Sequence, residues 1–225
     1  MQIPEIERDI VRRIWRAIIE FGLLEAGDRV LVGFSGGKDS AFLLSALTLV
    51  RAKSPFPFEI GAVHVDLGFA KVNLSDLADY CDQLGVKLIV KQTQIGSVIV
   101  SNSKESPCAQ CAYFRRGVVN QTAREHGFTK VAYGHHFDDV VVTFLMSQLY
   151  SGKLTALQPK SYLERAGLTV IRPLVYVREA EVKASLPRIG YIPMANPCPF
   201  DKTNQRKLTQ HLLDTIAETN PNVYY

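Results

Sequence analysis

At 225 residues, with 47% hydrophobic side chains and a mean hydropathy of +0.02, the chain is long enough to bury one sizeable core and lacks the apolar excess of a membrane protein. Its formal charge of +4 permits a nucleic-acid partner without demonstrating one. Four cysteines are poor material for a disulfide framework at this size, and Glu5, Glu7 and Asp9 do not suit a secretory leader, so a cytoplasmic setting with metal or redox use of the thiols is expected.

Residues 6–21 place Ile6, Ile10, Ile14, Ala17, Ile18 and Phe21 on one face with four arginines largely elsewhere, which predicts an amphipathic helix. After a Gly27-Asp28 turn, the apolar run 30–34 reads as a buried strand of a parallel sheet, and 41–50 carries Leu43, Leu44, Leu47 and Val50 at helical spacing. Between them stands Ser35-Gly36-Gly37-Lys38-Asp39-Ser40. Gly36 and Gly37 let the backbone turn tightly against an anion. Ser35, Ser40 and the N–H groups of the helix's first turn offer donors to phosphate, and Lys38 adds a point charge. The loop departs from Walker A: Gly33 and Gly37-Lys38 stand one residue closer, and Asp39 follows where Ser or Thr belongs. A carboxylate there repels phosphate unless a cation lies between, so Asp39 argues for Mg²⁺ bound with the nucleotide. The alternative is a bland glycine-rich turn.

A second strand is predicted over 58–65, with Val63 and His64 at an end expected near adenosine. A helix over 73–84 is ended by Gly85, and a third strand covers 86–90. Residues 101–107 read as a loop and 112–126 as a helix. Cys108-Ala109-Gln110-Cys111 falls at that junction, where the helix dipole with Arg115 and Arg116 is expected to lower thiol pKa values. A fourth strand over 130–133 is closed by Gly134-His135-His136-Phe137-Asp138-Asp139, followed by a helix over 137–150, an excursion over 152–167 and a short fifth strand over 168–171. Helices over 179–189 and 205–218 flank a proline-rich loop that holds Cys198. This alternation predicts an α/β class: a doubly wound, parallel five-stranded sheet with helices on both faces. One domain spans 1–225, with an N-terminal helix within 1–25 and a C-terminal loop and helix over 191–225.

Cys81 shares a helix face with Leu74, Leu77 and Leu84 and reads as core, which leaves Cys108, Cys111 and Cys198. A closed zinc site wants a further ligand, which His135 or His136 would have to bring. Three thiolates fit better to a four-iron cluster with one iron open to a small ligand such as sulfide, and redox CxxC chemistry is the other alternative. Gly134 and His135 lie where the carboxyl end of a strand opens onto a ligand crevice, so they are expected to border the nucleotide, although His135 also suits a packed loop position. Asp138 and Asp139 are either helix caps or, for Asp139, a Mg²⁺ ligand shared with Asp39 or a proton acceptor.

The hexapeptide from Ser35 to Ser40 resembles the SGGxDS signature of the PP-loop ATP pyrophosphatases, whose fold is of the adenine nucleotide alpha-hydrolase type. The resemblance implies a loop that grips the β and γ phosphates and leaves the α phosphorus open, giving AMP and pyrophosphate. Residues 24–44, 108–117 and 134–154, with Ile171-Arg172-Pro173-Leu174 and Tyr176-Val177-Arg178-Glu179, further resemble the TtcA group of tRNA 2-thiocytidine synthetases. That implies an ATP-dependent, iron-sulfur-dependent tRNA sulfurtransferase with a [4Fe-4S] cluster on Cys108, Cys111 and Cys198. Lys38, Asp39 and Asp139 then fall in the catalytic set with Arg115, which stands where related thiolases carry a basic residue. The expected partners are tRNA, a sulfur donor (sulfide or a persulfide carrier protein) and a second copy of the chain in a homodimer. Thiolation or desulfuration of another base or a small metabolite, and an ATP-binding module without chemistry, are the alternatives. Val142 departs from the group, which often carries Glu or Gln there.

Overall fold

The structure, a computed structural model, describes residues 3–69, 73–101, 107–195, 198, 200, 205–220 and 222–224. In chain order its elements are α1 (Arg8–Glu20), β1 (Arg29–Gly33), α2 (Lys38–Lys53), β2 (Glu59–Asp66), α3 (Ser75–Gln83), β3 (Lys87–Gln92), α4 (Ile95–Ser101), α5 (Pro107–Glu125), β4 (Lys130–Ala132), α6 (Phe137–Ser151), β5 (Lys160–Leu163), β6 (Leu168–Ile171), α7 (Glu179–Ser185) and α8 (Gln205–Thr219). The strands make one six-stranded sheet in the order β3-β2-β1-β4-β6-β5, parallel except where β5 pairs with β6.

The sheet has one strand more than the five expected. β5 lies in the stretch 152–167, and its residues alternate between exposed and half-buried rather than between polar and core positions. It is an antiparallel edge strand, so it carries little of the apolar pattern that marks the inner strands. Helix α5 also begins earlier than expected, at Pro107, and takes both cysteines of the CxxC into its first turns. Part of the predicted loop, residues 102–106, lies outside the described residues.

β1 is buried on both faces because its residues alternate between two cores. Val30 and Val32 join α1, α2, α3 and α7 in one, while Leu31 joins Val63, Ile95, Ile99, Val119 and Ala123 in the other, under α4 and α5. Helices on both faces follow from that. Residues 40–50 of α2 are buried all round, since α1 and α7 pack on the side that the sheet does not cover. Val142 is buried against Leu213 and Tyr224, so an apolar residue at that departure joins α6 to α8. Among the described residues no helix is long and apolar enough to cross a membrane.

From β1 the chain moves to β2 and β3 on one side, then returns to place β4 on the other. The carboxyl ends of β1 and β4 therefore flank a topological switch point, where an open parallel sheet leaves a crevice for a ligand.

Candidate active site

The loop after β1 is shaped by its own side chains. Gly36 adopts φ +81°, a left-handed conformation that favours glycine, and a Cβ there would fall 2.6 Å from Met194 Sδ. Its carbonyl accepts from Tyr191 Oη at 2.8 Å and from Met194 N at 3.0 Å, so the segment leading to Cys198 is strapped onto the loop. Ser40, expected as a phosphate donor, is buried and turned inward: its hydroxyl donates to Gly37 O at 2.9 Å and accepts from Ser35 N at 3.2 Å. Ser35 Oγ in turn accepts from Gly37 N at 3.3 Å. Both serines thus hold the loop's shape, and the backbone N–H groups at the start of α2 are the remaining donors.

Lys38 Nζ lies 2.8 Å from Asp39 Oδ2 and 3.0 Å from Glu179 Oε1. Burial opposes its charge, but the two carboxylates outweigh that and hold its pKa above the ordinary 10.5. The other Asp39 oxygen, Oδ1, is buried without a hydrogen-bond partner.

The turn after β4 presses directly on α2. A Cβ on Gly134 would stand 2.6 Å from Asp39 O, so only glycine lets these two backbones meet. The next residues gather charge. His136 is buried, with Nε2 3.7 Å from Asp39 Oδ1 and 3.6 Å from Asp139 Oδ2, and Nδ1 3.5 Å from Asp138 Oδ2. Burial works against its protonation, yet Asp138, Asp139 and Asp39 together raise its pKa above 6.5. Asp139 also accepts from His136 N at 2.9 Å, as a helix cap, and pairs with Arg206 of α8. Asp138 accepts from Arg178 Nε at 3.1 Å and Glu179 N at 2.7 Å, so its carboxylate caps α7.

His135 is driven down to about 4 by burial, with Arg172, Arg206 and His136 opposing the pull of Asp139, so it is neutral near pH 7. Val63 is packed in the second core and its carbonyl accepts from Phe34 N at 2.8 Å. His64 Nδ1 lies 3.0 Å from Phe34 O, fastening the end of β2 beneath the loop.

Cys81 is fully buried, as its helix face predicts, and burial pushes its thiol up to about 12. Cys108 is exposed, while Cys111 and Cys198 are half-buried. The expected lowering of the Cys111 pKa does not occur: burial, then repulsion from Cys198 and Cys108, raises it against the pull of Arg115. Cys108 and Cys198 are thus each near enough to Cys111 to act on its charge. Among the described residues no three His, Cys, Asp or Glu side chains are grouped to hold a single metal ion. A four-iron cluster spreads its cysteine ligands over separate irons, so a looser set of three thiols suits it better than zinc.

Sequence reasoning offered His136 only as an alternative zinc ligand and assigned no role to Arg206 or Glu179. Glu179 lay in a quoted motif, but only the packing of α7 on α2 shows that it reaches Lys38.

The PP-loop domain family matches residues 7–207. The tRNA-cytidine(32) 2-sulfurtransferase of Syntrophotalea carbinolica is 36% identical over 98% of this chain and 88% of its own length. That of Xylella fastidiosa is 38% identical over 96% of this chain and 74% of its own. Among solved structures, the U34-tRNA thiolase NcsA from Methanococcus maripaludis, with its [4Fe-4S] cluster, superposes with a TM-score of 0.81 at 21% identity, covering 97% of this chain and 75% of that one. An NAD synthetase from Campylobacter jejuni superposes at 0.54 and 15% identity, over 82% of this chain and 73% of that one. Both likenesses bear out the fold.

Proposed function

Because the chain belongs to the PP-loop family, in its 2-thiocytidine synthetase group, we propose that it is an ATP-dependent sulfurtransferase acting on a tRNA cytidine. The observation that carries this is the strap on Gly36, which ties the phosphate loop to the segment that bears Cys198. Activation and sulfur delivery thereby share one crevice.

ATP is held with its phosphates at the start of α2, where the first-turn N–H groups and Lys38 offset their charge. Gly134 and His135 border it from the other side, with the ends of β1 and β2 below. Asp39 Oδ1, buried without a partner, and Asp139 suit Mg²⁺ once Lys38 and Arg206 turn from these carboxylates to phosphate. The cytidine O2 attacks the α phosphorus and pyrophosphate leaves, which converts a poor leaving group into AMP. Hydrosulfide then adds at C2, the C2–O bond breaks, and AMP and a proton depart to leave the thiocarbonyl. Cys108, Cys111 and Cys198 would hold a [4Fe-4S] cluster, which supplies an open iron for the sulfur. Arg115 offsets negative charge beside the thiols. The donor is free sulfide, or a persulfide carrier whose outer sulfur a dithiol reductant releases as hydrosulfide, and the setting is the cytoplasm.

Anaerobic incubation with ATP, Mg²⁺, sulfide and unmodified tRNA, followed by nucleoside mass spectrometry, tests this reading. The expected product is 2-thiocytidine that depends on Asp139 and Cys198, with AMP and pyrophosphate released alongside. Cys198→Ala should lose iron while Cys81→Ala keeps it. Absence of thiolated RNA, or equal iron loss in both variants, overturns the proposal.

A further inference from the structure

Resting on that function, we propose that Tyr133 and Arg172, with His135 beside them, seat one phosphodiester of the RNA next to the target nucleotide. The parallel register that pairs Ala132 with Ile171, continued by the 3.1 Å bond from Tyr133 N to Ile171 O, sets Tyr133 and Arg172 side by side where β4 and β6 end. Tyr133 packs against the core beneath α5, the helix that carries Cys108 and Cys111.

Three polar atoms there, Tyr133 Oη, His135 Nδ1 and Arg172 Nε, are buried without a hydrogen-bond partner. The Tyr133 and His135 rings lie 5.9 Å apart and nearly edge-on. Buried polar atoms are seldom left unbonded, so a ligand, an ion or ordered water is expected to complete them. The charge around them points to its sign: Arg115, Arg116 and Arg172 all act on Tyr133, and Arg116 acts on Arg172. Among the described residues none of these three arginines is paired with a carboxylate, although the crevice a few residues away is rich in them.

An anion with several acceptor oxygens fits a guanidinium N–H, a phenol O–H and a neutral imidazole N–H better than a base edge does. The nucleotide's phosphates are assigned to the start of α2, whereas Tyr133 packs in the core beneath α5, across the sheet from the core that holds Ala132 and Ile171; His135 stands between, beside the nucleotide on one side and Tyr133 on the other.

The test is a chemical double-mutant cycle on the reconstituted protein, using an anticodon stem-loop RNA with a neutral methylphosphonate at each linkage flanking the target in turn. Both Kd by filter binding and kcat/KM for thiolation are read. Arg172→Ala should weaken RNA binding by about 10-fold or more with the KM for ATP unchanged. Tyr133→Phe, which removes one oxygen and keeps the packing, should show a smaller loss. One methylphosphonate should weaken the wild type equally and the Arg172→Ala protein no further. Native Kd in both variants, or losses that add at every linkage, overturns the seat. So does a change confined to the KM for ATP or to pyrophosphate inhibition, which would make the anion the nucleotide's. A wild type that binds RNA without thiolating it removes the proposed function, while the Kd cycle still decides the seat.

Discussion

Asp138 and Asp139 are adjacent and chemically identical, and their neighbours separate them. Asp138 is buried, and against that burial His136, Arg178 and the start of α7 together hold its pKa well below the usual carboxylate range. Replacing it with Asn takes the charge out of its bonds to Arg178 and the start of α7, so Asp138→Asn is expected to destabilise the fold by about 2 kcal/mol in urea unfolding. Gly134 is constrained differently. A Cβ there meets the Asp39 backbone rather than a side chain that can move aside, so Gly134→Ala should lower stability by about 1–3 kcal/mol. It should also weaken ATP binding in calorimetry, whereas an unchanged ATP affinity would show that the two loops need not touch. The sequence made the loop, the Gly134-His135 turn and the cysteine set legible, because glycines, carboxylates and thiols at such spacing have few other uses. It did not show that Ser40 turns inward or that His136 sits between Asp39 and Asp139, since both depend on elements distant in the chain.

Helix α7 is short, yet it holds the site from behind. Arg13 of α1 donates to Tyr176 O at 3.1 Å and pairs with Glu181, which also accepts from Arg178 N at 2.8 Å. Partial burial opposes ionisation of Glu181, but Arg13 and the Arg178 N–H outweigh it and lower its pKa below 4.5. A depressed carboxylate pKa stabilises the fold above the unfolded value and loses that contribution as pH falls through the folded one. Glu181→Gln should therefore reduce stability by about 1 kcal/mol near neutrality and by progressively less below about pH 4.5; an equal loss at pH 7 and pH 3 would place the effect elsewhere. The same dependence on context explains which elements could be foreseen. Inner strands and α1 announce themselves through apolar period, whereas β5 is an edge strand of alternating half-exposure, and the first turns of α5 are half-buried or exposed, with its buried residues beginning only at Val119.

Two halves of the molecule meet at Gly36. One is the sheet with its phosphate loop; the other is the return from α7 that carries Tyr191, Met194 and, further on, Cys198. Gly36 O accepts from both Tyr191 Oη and Met194 N, and the Tyr191 ring packs 4.5 Å from that of Tyr80, whose hydroxyl bonds Ser45 in buried α2. A hydroxyl and a tilted ring pair thus join the loop to the return that leads toward Cys198. Tyr191→Phe keeps the ring contact and deletes only the hydroxyl, leaving Gly36 O with Met194 N alone. The expected cost is about 1 kcal/mol in stability. If the strap positions Cys198, alkylation of Cys198 by iodoacetamide in the cluster-free protein should also run faster in Tyr191→Phe than in wild type. ATP should slow that alkylation in the wild type and do so less in the variant. Equal alkylation rates in the two proteins, with and without ATP, would mean that the loop and the cysteine segment are merely adjacent.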